Sequence, residues 1–308
     1  MTTVIGIKDC VKTLRSLDKG INRSGDTFKL VDLTEALGLN CDAYMQTNLL
    51  KPKHYYANKS QGYQFIQQTK KPYIVSESAS FRKYPQYARL GWFSYKWTDG
   101  LFGNENSPND RWNKFVKDTN IRIKEWNSPG DNILIMGQKE GDSSLLELYK
   151  TYQGFYDWVD DIVQKIRLYS DRKIVLRPHP RNLRHGESCA NKLARKYGNI
   201  EVSKNVASDV TGQGGDGLDR DLKNSYCVIT YNSLSSIEAI CEGIPTYAFE
   251  NGSMIWPIAH KDISSIEKLN YNVDITQWCN DIAYTQWTAT ENRKGESWKH
   301  LKPLMFGE

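Results

Sequence analysis

The sequence predicts an α/β fold of two Rossmann-like domains facing a cleft, with C-terminal helices packing back across them. Three observations carry this. The chain has 308 residues, enough for two independent cores. From Asn132 onward, short apolar runs alternate with helical stretches, the pattern of a doubly wound parallel sheet. The turn signal Ser128-Pro129-Gly130-Asp131 separates this regular part from an irregular one. The expected divisions are 1–127, 128–275 and a C-terminal helical segment 276–308.

In chain order, residues 28–38 read as a strand or helix ending at Gly38, and Tyr73-Ile74-Val75-Ser76 as a short strand after Lys71-Pro72. The aromatic block Arg89–Gly100 reads as short extended pieces joined by turns at its glycines. Asn132–Gly137 is an apolar run of parallel-strand type. Leu145–Leu168 reads as one long helix, Lys173–Pro178 as the next strand, Ser188–Tyr197 as helix and Asn199–Val202 as strand. The glycine-rich stretch Thr211–Gly217 reads as a loop. A strand, polar turn, short helix and second strand occupy 226–249. Trp278, Trp287 and Trp298 fall on helical-looking segments.

Composition is that of a soluble globular protein with a formal charge of +5, mildly basic but compatible with a solvated surface. The six cysteines show no Cys-x-x-Cys spacing, which speaks for reduced thiols and against a zinc or redox pair. No stretch approaches the roughly 18 apolar residues of a membrane span, so the expected location is cytoplasmic.

Three motifs carry chemistry. In the first, Asn232, Ser233 and Ser235 stand where a helix begins, and exposed N–H groups there suit phosphate. Ser235 and Glu238 have capping-box spacing, so Glu238 is divided between a cap and a ribose hydroxyl. Gly243 is placed to end that helix in a left-handed conformation. The second is Arg177-Pro178-His179-Pro180-Arg181 at a strand end, where open α/β sheets bind ligands. Its arginines offer forks to phosphate and His179 a hydrogen bond or a proton. The third, Gly137–Ser144, places Gln138 and Ser143 beside a cleft, with Asp142 or Ser143 as a helix N-cap. Asp219-Arg220-Asp221 has a spacing used to hold metal-bound nucleotides, but reads as a solvent-facing pair; no metal is expected.

Residues 133–267 resemble the nucleotide-binding half of glycosyltransferases with two Rossmann domains (GT-B type). More narrowly, they resemble the capsule-polysaccharide Kdo-transferase-like family. The matching positions are Arg177 to Pro180, then Asn232, Ser233, Glu238, Ala239, Gly243 and Pro245. Ser76–Arg82 resembles an acidic-then-Phe-Arg segment of the family's acceptor half. The resemblance implies a nucleotide-sugar co-substrate whose phosphate the histidine loop and the helix start hold. Together with the residues read above, and with no other cofactor, the expected donor-binding set is Gln138, Ser143, Arg177, His179, Arg181, Asn232, Ser233, Ser235 and Glu238. The resemblance also implies a base in the N-terminal, acceptor-binding part, for which Glu77, Asp99 and Asp110 are the candidates.

Aromatic and basic residues of the N-terminal part, Arg82, Trp92, Tyr95, Lys96, Trp97 and Arg111, suit stacking on sugars or bases and contact with phosphates. In gross features the chain is also similar to phage DNA glucosyltransferases, so a hydroxymethylated base in double-stranded DNA is the first acceptor considered. A capsule or surface polysaccharide is the alternative. Sugar-nucleotide epimerisation and a non-catalytic nucleic-acid-binding role also stay open.

Overall fold

The computed structural model describes residues 1–50, 61–206 and 216–307. Its strands are β1 (Thr3–Ile7), β2 (Thr27–Val31), β3 (Ala43–Thr47), β4 (Tyr73–Ser78), β5 (Tyr87–Trp92), β6 (Asn132–Met136), β7 (Ile174–Arg177), β8 (Ile200–Val202), β9 (Ser225–Thr230), β10 (Thr246–Ala248) and β11 (Gln286–Thr288). Contacts divide the chain into two compact units, Met1–Asn120 with Thr276–Glu308, and Ile121–Ile275.

The second unit is a five-stranded, wholly parallel sheet in the order β10-β9-β6-β7-β8. Its central strands bury nearly every residue, because helices cover both faces and the sequence answers with Ile, Leu and Val runs. The chain starts at β6, winds outward through β7 and β8, then crosses back to β9 and β10. The direction of winding therefore reverses between β6 and β9, the place where a Rossmann sheet opens a crevice at its strand ends.

One face is covered by the helix Phe155–Arg167, whose Phe155, Trp158, Val159, Ile162, Val163 and Ile166 recur at helical spacing and are buried. The helix expected from Leu145 does not run through. Two short 3-10 turns, Ser143–Leu145 and Leu148–Lys150, precede it, and the helix starts only after Gly154, which serves as its N-cap. The short helix Ser235–Cys241 ends as expected, with Gly243 at φ 75°.

The first unit has the order β11-β5-β4-β3-β1-β2. Strands β2, β1, β3 and β4 are parallel, while β5 runs antiparallel to β4 and to β11. Residues 28–38 resolve into β2 and a one-turn helix, Leu33–Ala36. Trp287, expected on a helix, lies in β11, where pairing with β5 overrides the local pattern. The helix Glu296–Phe306 brings Trp298 against Trp92, ring centroids 6.1 Å apart, in the core of this unit. No described helix is long and apolar enough to cross a membrane.

Candidate functional site

The crevice of the second unit is built from the segments just after β6, β7, β9 and β10. Gln138, just after β6, and Asn232, just after β9, exchange two hydrogen bonds across the reversal point. Gln138 Nε2 donates to Asn232 Oδ1 at 2.6 Å, and the Asn232 backbone N–H donates to Gln138 Oε1 at 3.0 Å. Asn232 Nδ2 donates to Ser144 O at 2.7 Å and to Glu250 Oε2 at 3.0 Å. Both protons of its amide are thus spent on protein acceptors. Asn232 thus ties three loops together and shapes the crevice. Glu250, buried just after β10, escapes sequence reasoning because nothing in its local sequence, Phe249-Glu250-Asn251, marks it.

The histidine loop leaves β7 next to this pair. Gly137 N–H donates to Arg177 O at 2.7 Å, and a Cβ on Gly137 would lie 2.5 Å from that oxygen and 2.9 Å from His179 N. Only glycine allows the two strand ends to approach so closely. His179 caps a 3-10 turn, Pro180–Asn182, its Nδ1 accepting from Arg181 N at 3.1 Å. An accepting Nδ1 puts the neutral ring's proton on Nε2, leaving that edge a hydrogen-bond donor.

Arg177 does not present the open fork expected for phosphate. Its Nη1 pairs with Asp221 and also donates to the carbonyls of Asn205 and Gly217. Asp221 does not face solvent as expected. Its carboxylate is buried on the helix Asp216–Lys223, so the Asp-x-Asp pair is half consumed in holding Arg177. Among the described residues, no group of three or more His, Cys, Asp and Glu is arranged to hold a metal ion.

At the helix start, the N-cap is Leu234, one step before the expected Ser235, and its side chain makes no capping bond. In the turn before it, Ser233 Oγ accepts from Ser235 N at 3.3 Å, and Ser236 Oγ donates to Ser233 O at 2.6 Å. Ser235 is already inside the helix, so the Ser235–Glu238 capping box does not form, and Glu238 is half-buried. Ser143 is buried within the 3-10 turn that Asp142 caps through Ser144 N at 3.0 Å. Of the expected donor-binding set, Arg181 is exposed, Arg177, His179, Asn232, Ser233, Ser235 and Glu238 are half-buried, and Gln138 and Ser143 are buried. Arg177, Asn232 and Gln138 are engaged by protein partners.

In the first unit, Glu77 lies near the end of β4, partly exposed, its Oε1 accepting from Ser78 N at 2.8 Å. In the antiparallel register Glu77 stands opposite Arg89, while Trp92 stands opposite Ile74. The segment after Trp92 therefore leaves the sheet at the edge opposite the one where Glu77 sits. That segment carries Asp99, exposed, with Thr98 Oγ1 at 3.3 Å. Asp110 is exposed in the first turn of the helix Asp110–Thr119 and accepts from Tyr284 Oη at 2.8 Å.

The aromatic and basic set expected for an acceptor is mostly interior. Trp92 is fully buried, its Nε1 donating to Leu301 O at 2.8 Å. Tyr95 and Lys96 are buried as well, Tyr95 beneath the Arg89 guanidinium. Arg111 donates to Ala283 O and Gln286 O, pairs with Glu291 at 3.2 Å and lies 3.5 Å from the Trp287 ring centroid. It joins the C-terminal segment to this unit. Arg82 and Trp97 remain partly exposed.

No family model matches the chain, and no curated protein matches it. Among solved structures, it is similar to the beta Kdo 2,7 transferase of Thermosulfurimonas dismutans KpsC, with a TM-score of 0.52 and 15% identity over 96% of this chain and 98% of that one. The beta Kdo 2,4 transferase of the same protein gives a TM-score of 0.52 and 12% identity over 91% and 89%. The chain shares their fold. That fold is mixed α/β with two Rossmann-like units, of the GT-B type expected from sequence. The UDP-GlcNAc 2-epimerase of Methanocaldococcus jannaschii is more distant, with a TM-score of 0.34 and 9% identity over 88% and 94%.

Proposed function

We propose that this chain is a glycosyltransferase that takes a sugar from a nucleotide-sugar donor to a hydroxyl of a surface or capsular glycan. The observation that carries the proposal is the reversal point of the second unit. There the Gln138–Asn232 bridge, the His179 loop and the Ser233 turn converge on the ends of β6, β7 and β9. The fold shared with two Kdo transferases supports it.

The chemistry comes from these groups. Breaking the bond between sugar and nucleotide leaves negative charge on phosphate. His179 Nε2–H, Arg181 and the Ser233–Ser235 turn are the donors set to meet that charge. These donors need no resident metal beside them, so turnover is expected to survive chelation by EDTA. A carboxylate must take the acceptor's proton. Of the three candidates, Glu77 lies near the C-terminal end of a parallel strand, β4.

Trp92, Tyr95, Lys96 and Arg111 are committed inside the first unit, which leaves only Arg82 and Trp97 of the set expected to meet either acceptor partly exposed. The glycan acceptor is preferred to DNA because of the fold shared with two Kdo transferases. The test is to incubate the protein with a panel of nucleotide sugars and follow donor hydrolysis, then transfer to glycan or to hydroxymethylated DNA. Transfer to glycan supports the proposal. Turnover of donor to an isomer without acceptor would make it an epimerase. Tight, salt-dependent DNA binding with no response to any nucleotide sugar would make it a binding protein.

A further inference from the structure

Asp221 is absorbed by no step above, yet its carboxylate accepts from three side chains. Its side chain is 4% exposed and that of its partner Arg177 is 11% exposed. Besides Arg177, it accepts from Ser203 Oγ at 2.7 Å and from Asn205 Nδ2 at 2.6 Å. Gly217 makes the arrangement possible, because a Cβ there would lie 1.8 Å from Asn205 O. The helix can thus start directly against the segment after β8. On the other side of Arg177, its carbonyl receives the Gly137 N–H, and Pro178 fixes the next backbone dihedral before His179.

We propose that Asp221 is a positioning residue for the histidine loop, acting through Arg177. With Asp221 in place, Arg177 is held inward and its backbone stays registered against Gly137, which fixes where the His179 turn begins. Without the carboxylate, a buried guanidinium lacks its counter-charge and must turn toward water, taking Pro178 and His179 with it. The functional part rests on the reading that His179 meets the donor's phosphate.

Two variants and two measurements decide it. Asp221→Asn keeps the shape and can still accept from Ser203 but loses the charge. Arg177→Met with Asp221→Leu removes both charges and keeps the site packed. The ring resonances of His179, assigned through His179→Gln, are tracked by NMR in the absence of any ligand. Asp221→Asn is expected to move the His179 ring shifts and titration midpoint, and the charge-free pair, with no guanidinium to turn outward, to move them less. In kinetics well below the melting temperature, Asp221→Asn is expected to raise the donor KM about tenfold or more while leaving the acceptor KM within twofold. Unchanged His179 resonances in folded Asp221→Asn would overturn the positioning role, as would an unchanged donor KM beside a lowered Tm. If the wild-type protein turns over no nucleotide sugar, the donor reading fails by itself, and the His179 resonances still decide whether Asp221 sets the loop.

Discussion

Gln138 and Asn232, 94 positions apart, close a two-bond bridge between the ends of β6 and β9. The bridge sits where the winding of the sheet reverses, so it shapes the floor of the crevice instead of filling it. Asn232→Asp would set a carboxylate beside Glu250, now 3.0 Å from the Asn232 amide, and remove both donated bonds. The expected loss is about 2–4 kcal/mol, combining an unmet buried acceptor with like-charge repulsion. Urea unfolding midpoints check it, and Asn232→Asp with Glu250→Gln should recover part of the loss.

Gly137 tests the contact between β6 and the histidine loop. In Gly137→Ala the new methyl meets the Arg177 carbonyl at 2.5 Å, so the loop must retreat. We expect donor kcat/KM to fall at least tenfold, with a smaller proportional effect on stability. Steady-state kinetics and thermal melts on the same preparation separate the two.

Glu291 gives the first unit an acid sensitivity. Burial alone would raise its pKa, but Arg111, the Thr288 backbone N–H and hydroxyl, and Lys114 together hold it below the usual glutamate range. A depressed folded pKa adds stability that is complete above the unfolded value of about 4.3 and is lost as pH falls through the folded pKa. Denaturant midpoints should therefore drop from about pH 5 downward, and Glu291→Gln should flatten that drop while lowering stability at pH 7.

Trp92 separates structure from recognition. It is fully buried against Trp298 and Phe306. Trp92→Ala should destabilise by about 3–5 kcal/mol. Trp92→Phe should leave the acceptor KM unchanged in whatever fraction stays folded. A selective rise in acceptor KM for Trp92→Phe would return this residue to the acceptor site.

The second unit is legible in the sequence because its strands are covered on both faces and so announce themselves as unbroken apolar runs, as in Asn132–Met136. Gly243 and Pro245 likewise write their helix end into the sequence. The first unit is harder to read. In β3, Ala-Tyr-Met-Gln-Thr, every residue is buried, but Gln46 and Thr47 hide the pattern. Trp287 looks helical because its strand pairing with Ala88 is remote in sequence. The candidate site is visible as motifs but not as roles. Arg177 and Asp221 stand 44 positions apart, and no local signal says that they neutralise each other. Burial decides in the same way for Trp92 and Lys96, whose stacking and charge suggest a surface that the fold turns inward.

The central claim is that the crevice around the Gln138–Asn232 bridge binds a nucleotide sugar. The direct measurement is the melting temperature of the protein against a panel of nucleotide sugars, for wild type and for His179→Ala with Ser233→Ala. A donor at about a hundred times its Kd should stabilise the wild type by roughly 2.7 kcal/mol. The account predicts a saturable rise with one class of nucleotide sugar that disappears in the double variant. A flat response across the whole panel, or an equal rise in wild type and variant, would contradict it.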